Sequence, residues 1–206
     1  MIMNGSIYGK YKVALEKIMN DFVENIKSYN QASYEKTGYK LFEHITNRIK
    51  AEDSMREKCR RKDLPENEVS ALYELKDAIG VRIVFSFVDD IYQSIEYIKS
   101  LPQCVVVKEK DYIKHAKPNG YRSYHMILEM TVPYEDVKGN TPGKYYIEVQ
   151  LRTIAMDSWA SLEHQLKYKK NVSNQKLIVE ELKRCADEMA SCDVSMQTIR
   201  NLINAE

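Results

Sequence analysis

The sequence predicts an α+β (mixed α/β) fold: a central mixed β-sheet of four or five strands flanked by helices, with a long helix at the C-terminal end. Three observations predict it. Helical periodicity dominates the first sixty residues, a run of strand-like segments occupies the middle of the chain, and helical periodicity returns for the last fifty. The 206 residues suffice for one ordinary domain with a buried core.

Taken in order, Tyr8 to Tyr34 reads as a helix with Val13, Ile18, Phe22 and Ile26 among its inward positions, and Gly38 breaks it. Tyr39 to Lys62 reads as a second helix carrying a basic run, closed by Pro65. The segment YELKDAIGVRIVFSF passes from a polar helical turn into a strand. Asp89 to Leu101 is a short helix, with Asp89 or Asp90 in the N-cap position and Pro102 just past its end. QCVVVKEKDYI, YRSYHMILEMTV and KYYIEVQLRT are three further strands, the last two joined by a Gly- and Pro-containing loop. Ile154 to Lys170 and Gln175 to Ala205 are helices. These elements group as an N-terminal helix over 1–38, a central unit over 39–170, and a C-terminal helix over 171–206. In the last helix Ile178, Leu182, Cys185, Met189, Cys192, Met196, Ile199 and Ile203 form a heptad seam. It suits either a helix lying on its own domain or a contact between subunits in a bundle.

Apolar residues make up 44% and charged residues 30%, the balance of a globular chain rather than a disordered one. No apolar run approaches the ~20 residues that span a bilayer, and the N-terminal stretch lacks the apolar core of a signal peptide. No membrane role is expected. The four cysteines show no metal-ligand spacing, and Cys185 and Cys192 would stand ~10 Å apart along one helix. Reduced cysteines and a cytoplasmic location are the expectation.

Net charge is only +1, yet the charge is uneven. From His44 to Lys62 seven Lys/Arg stand against three Asp/Glu, and from Lys108 to His125 five against two. Two basic segments on a neutral body suit a small polyanion such as a nucleotide phosphate more than a long nucleic-acid track.

Three strands have faces that differ. Tyr124, Met126, Leu128 and Met130 alternate on an apolar face, leaving Tyr121, Ser123 and His125 opposite. Tyr145, Ile147, Val149 and Leu151 leave Tyr146, Glu148, Gln150 and Arg152. Val81, Ile83 and Phe85 leave Gly80 and Arg82, with Asp77 just before. On one side of one sheet these polar faces make a basic, aromatic-bearing cleft with two carboxylates, Asp77 and Glu148. Carboxylates with bound phosphates are how Mg²⁺ is usually held, and phosphoryl transfer needs that metal, cations on the phosphates and a base for the attacking hydroxyl. An exposed sheet face is polar for ordinary reasons too, so composition alone leaves the question open.

The segments NRIKAEDSMREKCRRK, LKDAIGVRIV, KPNGYRSYH and YYIEVQLRTIAMDSWASLEHQLKYK, in that order over residues 40 to 170, resemble the synthetase domain of the RelA/SpoT family, and within it the stand-alone small alarmone synthetases. The resemblance implies a nucleotidyltransferase-like sheet and transfer of the β,γ-pyrophosphate of ATP to the 3′-hydroxyl of GDP or GTP, with GMP a further candidate, giving AMP and (p)ppGpp. It implies Asp77 and Glu148 as the Mg²⁺-binding and catalytic carboxylates. Arg48 and Arg82 match the pair that sandwiches adenine, and Lys58 and Arg61 match cations on the ATP phosphates. On the GDP/GTP side, Tyr121 matches the residue that stacks on guanine, Lys117 and His125 match groups near the acceptor's phosphates, and Gln150 matches the acceptor pocket.

The resemblance also limits the expectation. Long family members carry a hydrolase domain built on a His-Asp motif, and no His-Asp dipeptide occurs in this sequence, so no hydrolase activity is expected. Some small synthetases are tetramers joined through terminal helices, which makes a homo-oligomer, a homotetramer first, the expected assembly. His44 and Asp157 depart from the allosteric-site pattern of those members; Ser158 stands where many relatives place an aromatic. Asp157 is assigned no metal, Trp159 is placed in the core, and His164 is given a structural or supporting place. Rival readings are the same transfer to an adenosine nucleotide or a tRNA 3′ end, or a non-catalytic oligomer that binds nucleotide or single-stranded RNA through its basic segment.

Overall fold

A computed structural model describes residues 5–167 and 174–205. The long first helix, α1 (Lys12–Thr37), follows a short helical turn and stops at Gly38, whose φ of 75° closes it by accepting left-handed geometry. Its buried stripe is Leu15, Ile18, Phe22, Val23 and Ile26; Val13 faces solvent, contrary to its assignment as an inward position. Val13 lies in the first turn, outside the arc that this stripe defines.

Tyr39 to Lys62 departs furthest from the single helix its sequence suggests. Instead of one helix, this segment holds a strand, β1 (His44–Ile49), and a helix, α2 (Glu52–Arg61). Strand β1 is polar and largely exposed, so nothing local marks it. It exists because it pairs antiparallel with β2 (Ile79–Phe85), more than thirty residues onward. That pairing is a tertiary fact. A single π-helical turn, Ser70–Glu74, leads into β2, followed by α3 (Val88–Lys99) and the strands β3 (Cys104–Asp111), β4 (Tyr124–Val132) and β5 (Gly143–Thr153). Neither Asp89 nor Asp90 caps α3; both lie in its first turn, after Phe87 at the cap position. Asp90 is drawn away to Arg200, 2.7 Å from it.

The five strands lie in the order β1-β2-β5-β4-β3, with β2 and β5 parallel and all other pairs antiparallel. The alternation read from the sequence is observed: Val81, Ile83, Phe85, Met126, Leu128, Met130, Ile147, Val149 and Leu151 are all buried. They pack with α1 and α3 into one core, sealed where Tyr29 and Tyr97 stack at 3.7 Å.

Helix α4 (Ile154–Lys167) follows β5 directly; the last three residues of the expected helix, 168–170, lie outside the described residues. Helix α5 (Gln175–Ile203) lies against α4 and α3. Its seam divides. Ile178, Leu182 and Met189 are half-buried, with Ala186 and Asp193 buried beside them, whereas Cys185, Cys192, Met196, Ile199 and Ile203 face solvent. Polar anchors fix the helix to the body: Thr153 Oγ1 donates to Asp193 at 2.7 Å, Trp159 Nε1 to the Leu182 carbonyl at 2.7 Å, and Arg122 reaches Asp187 at 3.1 Å. Trp159 is buried, as read from the sequence.

Candidate active site

With the apolar face of the sheet sealed by α1 and α3, the opposite face carries the polar residues, and the register sorts them into two rows. Arg48, Gly80, Glu148, Ile127 and Lys108 are successive partners from β1 to β3. The next row holds Thr46, Arg82, Gln150, His125 and Lys110. Period-two alternation within each strand, with pairing between strands, makes a single surface from five distant segments.

Asp77 enters this surface from the turn before β2. Lys76, the preceding residue, sits at φ 56°, a conformation uncommon outside glycine, and so turns the chain sharply where the carboxylate is presented. Asp77 is buried. Its Oδ2 accepts from the ammonium groups of Lys50 and Lys58, the latter at 2.5 Å. Its Oδ1 is buried with no hydrogen-bond partner. A buried carboxylate oxygen left over is an unmet demand for a cation or donor.

Two clefts open on either side of Asp77 and Glu148, and both carboxylates line both. The first, of about 160 Å³, is bounded by Arg48, Lys50, Arg82 and Gln150. The second, of about 470 Å³, is bounded by Lys58, Lys76, Lys108, Lys110, Tyr112 and His125. The structure thus gathers Arg48, Arg82 and Gln150 with the carboxylates on one side. It gathers Lys58 and His125 with them on the other. Arg61 is exposed on the last turn of α2 and lines neither cleft.

The KPNG turn stands beside the second cleft. The Gly120 amide donates to the Lys117 carbonyl at 2.8 Å, and the Lys117 ammonium lies 4.7 Å from the ring centres of both Tyr112 and Tyr121. The Tyr121 hydroxyl accepts from Arg152 Nη2 at 2.7 Å, which leaves its own proton for His125 Nε2, also at 2.7 Å. Burial, with Arg152 and Lys117 nearby, pushes the His125 pKa down to about 4, so the ring is neutral at pH 7 and can accept that proton. Arg152 also donates to Gln150 Oε1 at 3.0 Å and to Asp157 at 2.9 Å.

Several residues at the clefts escaped the sequence reading: Lys50, Lys76, Lys108, Lys110 and Tyr112. The signal for three of them was present, since Lys108, Lys110 and Tyr112 alternate along one strand face. Lys50 was hidden by the misread strand, because only extended backbone puts it on the same side as Arg48. Among the described residues no cluster of three or more His, Cys, Asp or Glu could hold a metal. No helix among them is long and apolar enough to cross a membrane.

Residues 47–173 match the model described as the region found in RelA / SpoT proteins. GTP pyrophosphokinase YwaC of Bacillus subtilis is 37% identical over 194 residues, covering 94% of this chain and 89% of that protein. The crystal structure of small alarmone synthetase 1 from Bacillus subtilis bound to its product pppGpp superposes with a TM-score of 0.81 at 30% identity, covering 95% of this chain and 97% of that one. The same enzyme bound to AMPCPP gives 0.73 at 28% identity, covering 96% and 97%. The matched segment begins within β1, runs past α4 and holds Arg48, the polar faces of β2 to β5, both carboxylates and the KPNG turn; on that evidence the chain belongs to the RelA/SpoT family.

Proposed function

We propose that this protein transfers the β,γ-pyrophosphate of ATP to the 3′-hydroxyl of GDP or GTP, forming (p)ppGpp and AMP. The observation that carries the reading is that Asp77 and Glu148 line two clefts at once, so two nucleotides can meet at one pair of carboxylates. Its relatives' names and the bound pppGpp and AMPCPP of small alarmone synthetase 1 support it.

In this reading ATP lies in the first cleft, with adenine between the guanidinium planes of Arg48 and Arg82, which can stack on a base. Lys50, which lines the first cleft, and Lys58, across Asp77 on the second, offset phosphate charge where the two clefts meet; Arg61, outside both clefts, has the least support in that role. The guanosine nucleotide takes the second cleft, its base on the Tyr121 ring beside Lys117 and neutral His125. Gln150, bonded between Glu148 and Arg152, holds the wall between the sites rather than the acceptor itself. Glu148 takes the proton of the 3′-hydroxyl as that oxygen attacks the β-phosphorus. The new bond joins O3′ to Pβ, and the Pβ–O bond to the α-phosphate breaks, releasing AMP. Most of the acceleration comes from alignment and charge neutralisation.

Mg²⁺ fits the residues present: Asp77 offers a buried, unpartnered oxygen, and Glu148 a second hard donor on the same wall. Bound by Asp77 and Glu148, it would neutralise the polyphosphate.

The solvent-facing half of the α5 seam supports a homo-oligomer, a tetramer first, joined through this helix. The four free cysteines support a cytoplasmic location, and the basic last turn of α2, Lys58, Arg60 and Arg61, gives single-stranded RNA a surface to engage.

The test is a product assay with γ-labelled ATP, Mg²⁺ and, separately, GMP, GDP, GTP, ADP and deacylated tRNA. Label moving to a guanosine nucleotide with stoichiometric AMP establishes the reading and names the acceptor. Label on ADP or tRNA keeps the chemistry and changes the acceptor. No transfer to any acceptor overturns it.

A further inference from the structure

Asp157, in the first turn of α4, is placed against two arginines at once. Its Oδ1 lies 2.9 Å from Arg152 Nη1 and 3.2 Å from Arg82 Nη1. Arg152 lines neither cleft but touches Tyr121, which stands beside the second. Arg82 lines the first, and its pKa is lowered by burial and by the neighbouring Arg152, so the two guanidiniums repel across a partly desolvated gap. Arg152 is nearly fully buried and makes three further contacts: Nη2 to the Tyr121 hydroxyl at 2.7 Å, Nη2 to Gln150 Oε1 at 3.0 Å, and Nε to Ser123 Oγ at 3.4 Å. Its guanidinium carbon lies 5.2 Å from the centre of the Tyr121 ring.

We propose that Asp157 is a positioning residue shared by the two nucleotide sites. It holds Arg82 on the wall of the first cleft directly and Tyr121 beside the second through Arg152. The physical need is plain: without the carboxylate, two like charges face each other with reduced solvation, and the more exposed one, Arg82, is free to swing away. Arg152 would then lose the contact that aims its fork, and Tyr121 would lose the donor that sets the direction of its own proton. Asp157 lines neither cleft, so it acts on both sites only through these arginines. The inference rests on the reading that ATP binds against Arg82 and the guanosine nucleotide against Tyr121.

The experiment is direct titration of the whole protein with an α,β-methylene ATP analogue and, separately, with GTP, beside thermal melting. Arg82→Ala should weaken the analogue alone and Tyr121→Ala should weaken GTP alone. Asp157→Asn, isosteric but uncharged, should weaken both, each by roughly fivefold, the scale of a partly exposed charge pair. A merely structural role would lower the melting temperature and leave the folded protein's two affinities unchanged. Arg152→Lys keeps the charge beside Asp157 but loses the fork; it should weaken GTP and spare the analogue, and it stands as the deciding variant if Asp157→Asn does not fold. Asp157→Asn that leaves either affinity unchanged, or Arg152→Lys that spares GTP, overturns the shared role. If the unmutated protein binds neither nucleotide, the functional reading fails first and this inference with it.

Discussion

Gly120 and Ala186 touch so closely that a Cβ at position 120 would lie 2.5 Å from the Ala186 Cβ. Gly120 closes the KPNG turn at φ +90°, and α5 lies directly over it. The glycine therefore answers two demands, a left-handed backbone and a close helix. It also ties the loop beside the second cleft to the helix proposed to join subunits.

Gly120→Ala is expected to destabilise the protein by about 2 kcal/mol, a drop of roughly 4–8 °C in melting temperature for a chain of this size. Adding Ala186→Gly relieves the contact but not the backbone strain, and itself costs about 1 kcal/mol within a helix. Melting curves of the single and double variants check this; a double variant restored to the parent value would show that the contact alone mattered.

Glu148→Gln keeps the shape of the wall while removing the base. Turnover should fall by about 100-fold or more, with binding of both nucleotides largely kept. In Asp77→Asn the Mg²⁺ concentration for half-maximal rate should rise as well, measured by titrating the metal at saturating ATP.

Tyr121 offers a ring and a hydroxyl, and two variants separate them. Tyr121→Phe loses the bonds to Arg152 and His125 but keeps a stacking face, so GTP affinity should fall by roughly fivefold, the loss expected of Asp157→Asn. Tyr121→Ala loses the face and should cost about tenfold or more. Equal losses would assign the effect to the hydroxyl network.

His125 gives a prediction in pH. Its pKa lies near 4 in the folded protein against about 6.5 unfolded, so below pH 6.5 the unfolded chain takes up a proton that the native site refuses. The stability associated with neutral His125 is fully present above pH 6.5 and is lost as pH falls toward 4. Melting temperature should decline less steeply across that window in His125→Gln than in the parent, and an NMR titration of the ring should stay flat from pH 8 to about 5.5.

The outward seam of α5 gives the last. Ile199→Asp with Ile203→Asp places charge on two exposed apolar positions. The proposed oligomer, weighed by light scattering, should give way to a smaller species while the melting temperature of the isolated fold holds. An unchanged mass would move the subunit contact elsewhere.

Read from its residues alone, this chain already discloses most of its sheet. The strands β2, β4 and β5 are buried on one face, so burial itself writes period two into Val81-Ile83-Phe85, Met126-Leu128-Met130 and Ile147-Val149-Leu151. The same alternation sets Arg82, His125, Glu148 and Gln150 on the opposite side. The motifs carried the family, because four ordered segments over some 130 residues leave little room for coincidence. Strand β1 was not legible: it is an exposed edge, its sequence is as polar as a solvated helix, and its only reason to be extended is β2. Losing β1 also lost Lys50, and with it one of the two ammonium groups on Asp77. Nor could sequence divide the polar face into two clefts, send Asp90 to Arg200 instead of to its own helix end, or bring Asp157 between Arg82 and Arg152. Those relationships join residues five to 110 positions apart. Periodicity reports only which way a side chain points; what it meets there depends on which strands lie side by side and which helix lies across them, and tertiary packing alone decides that.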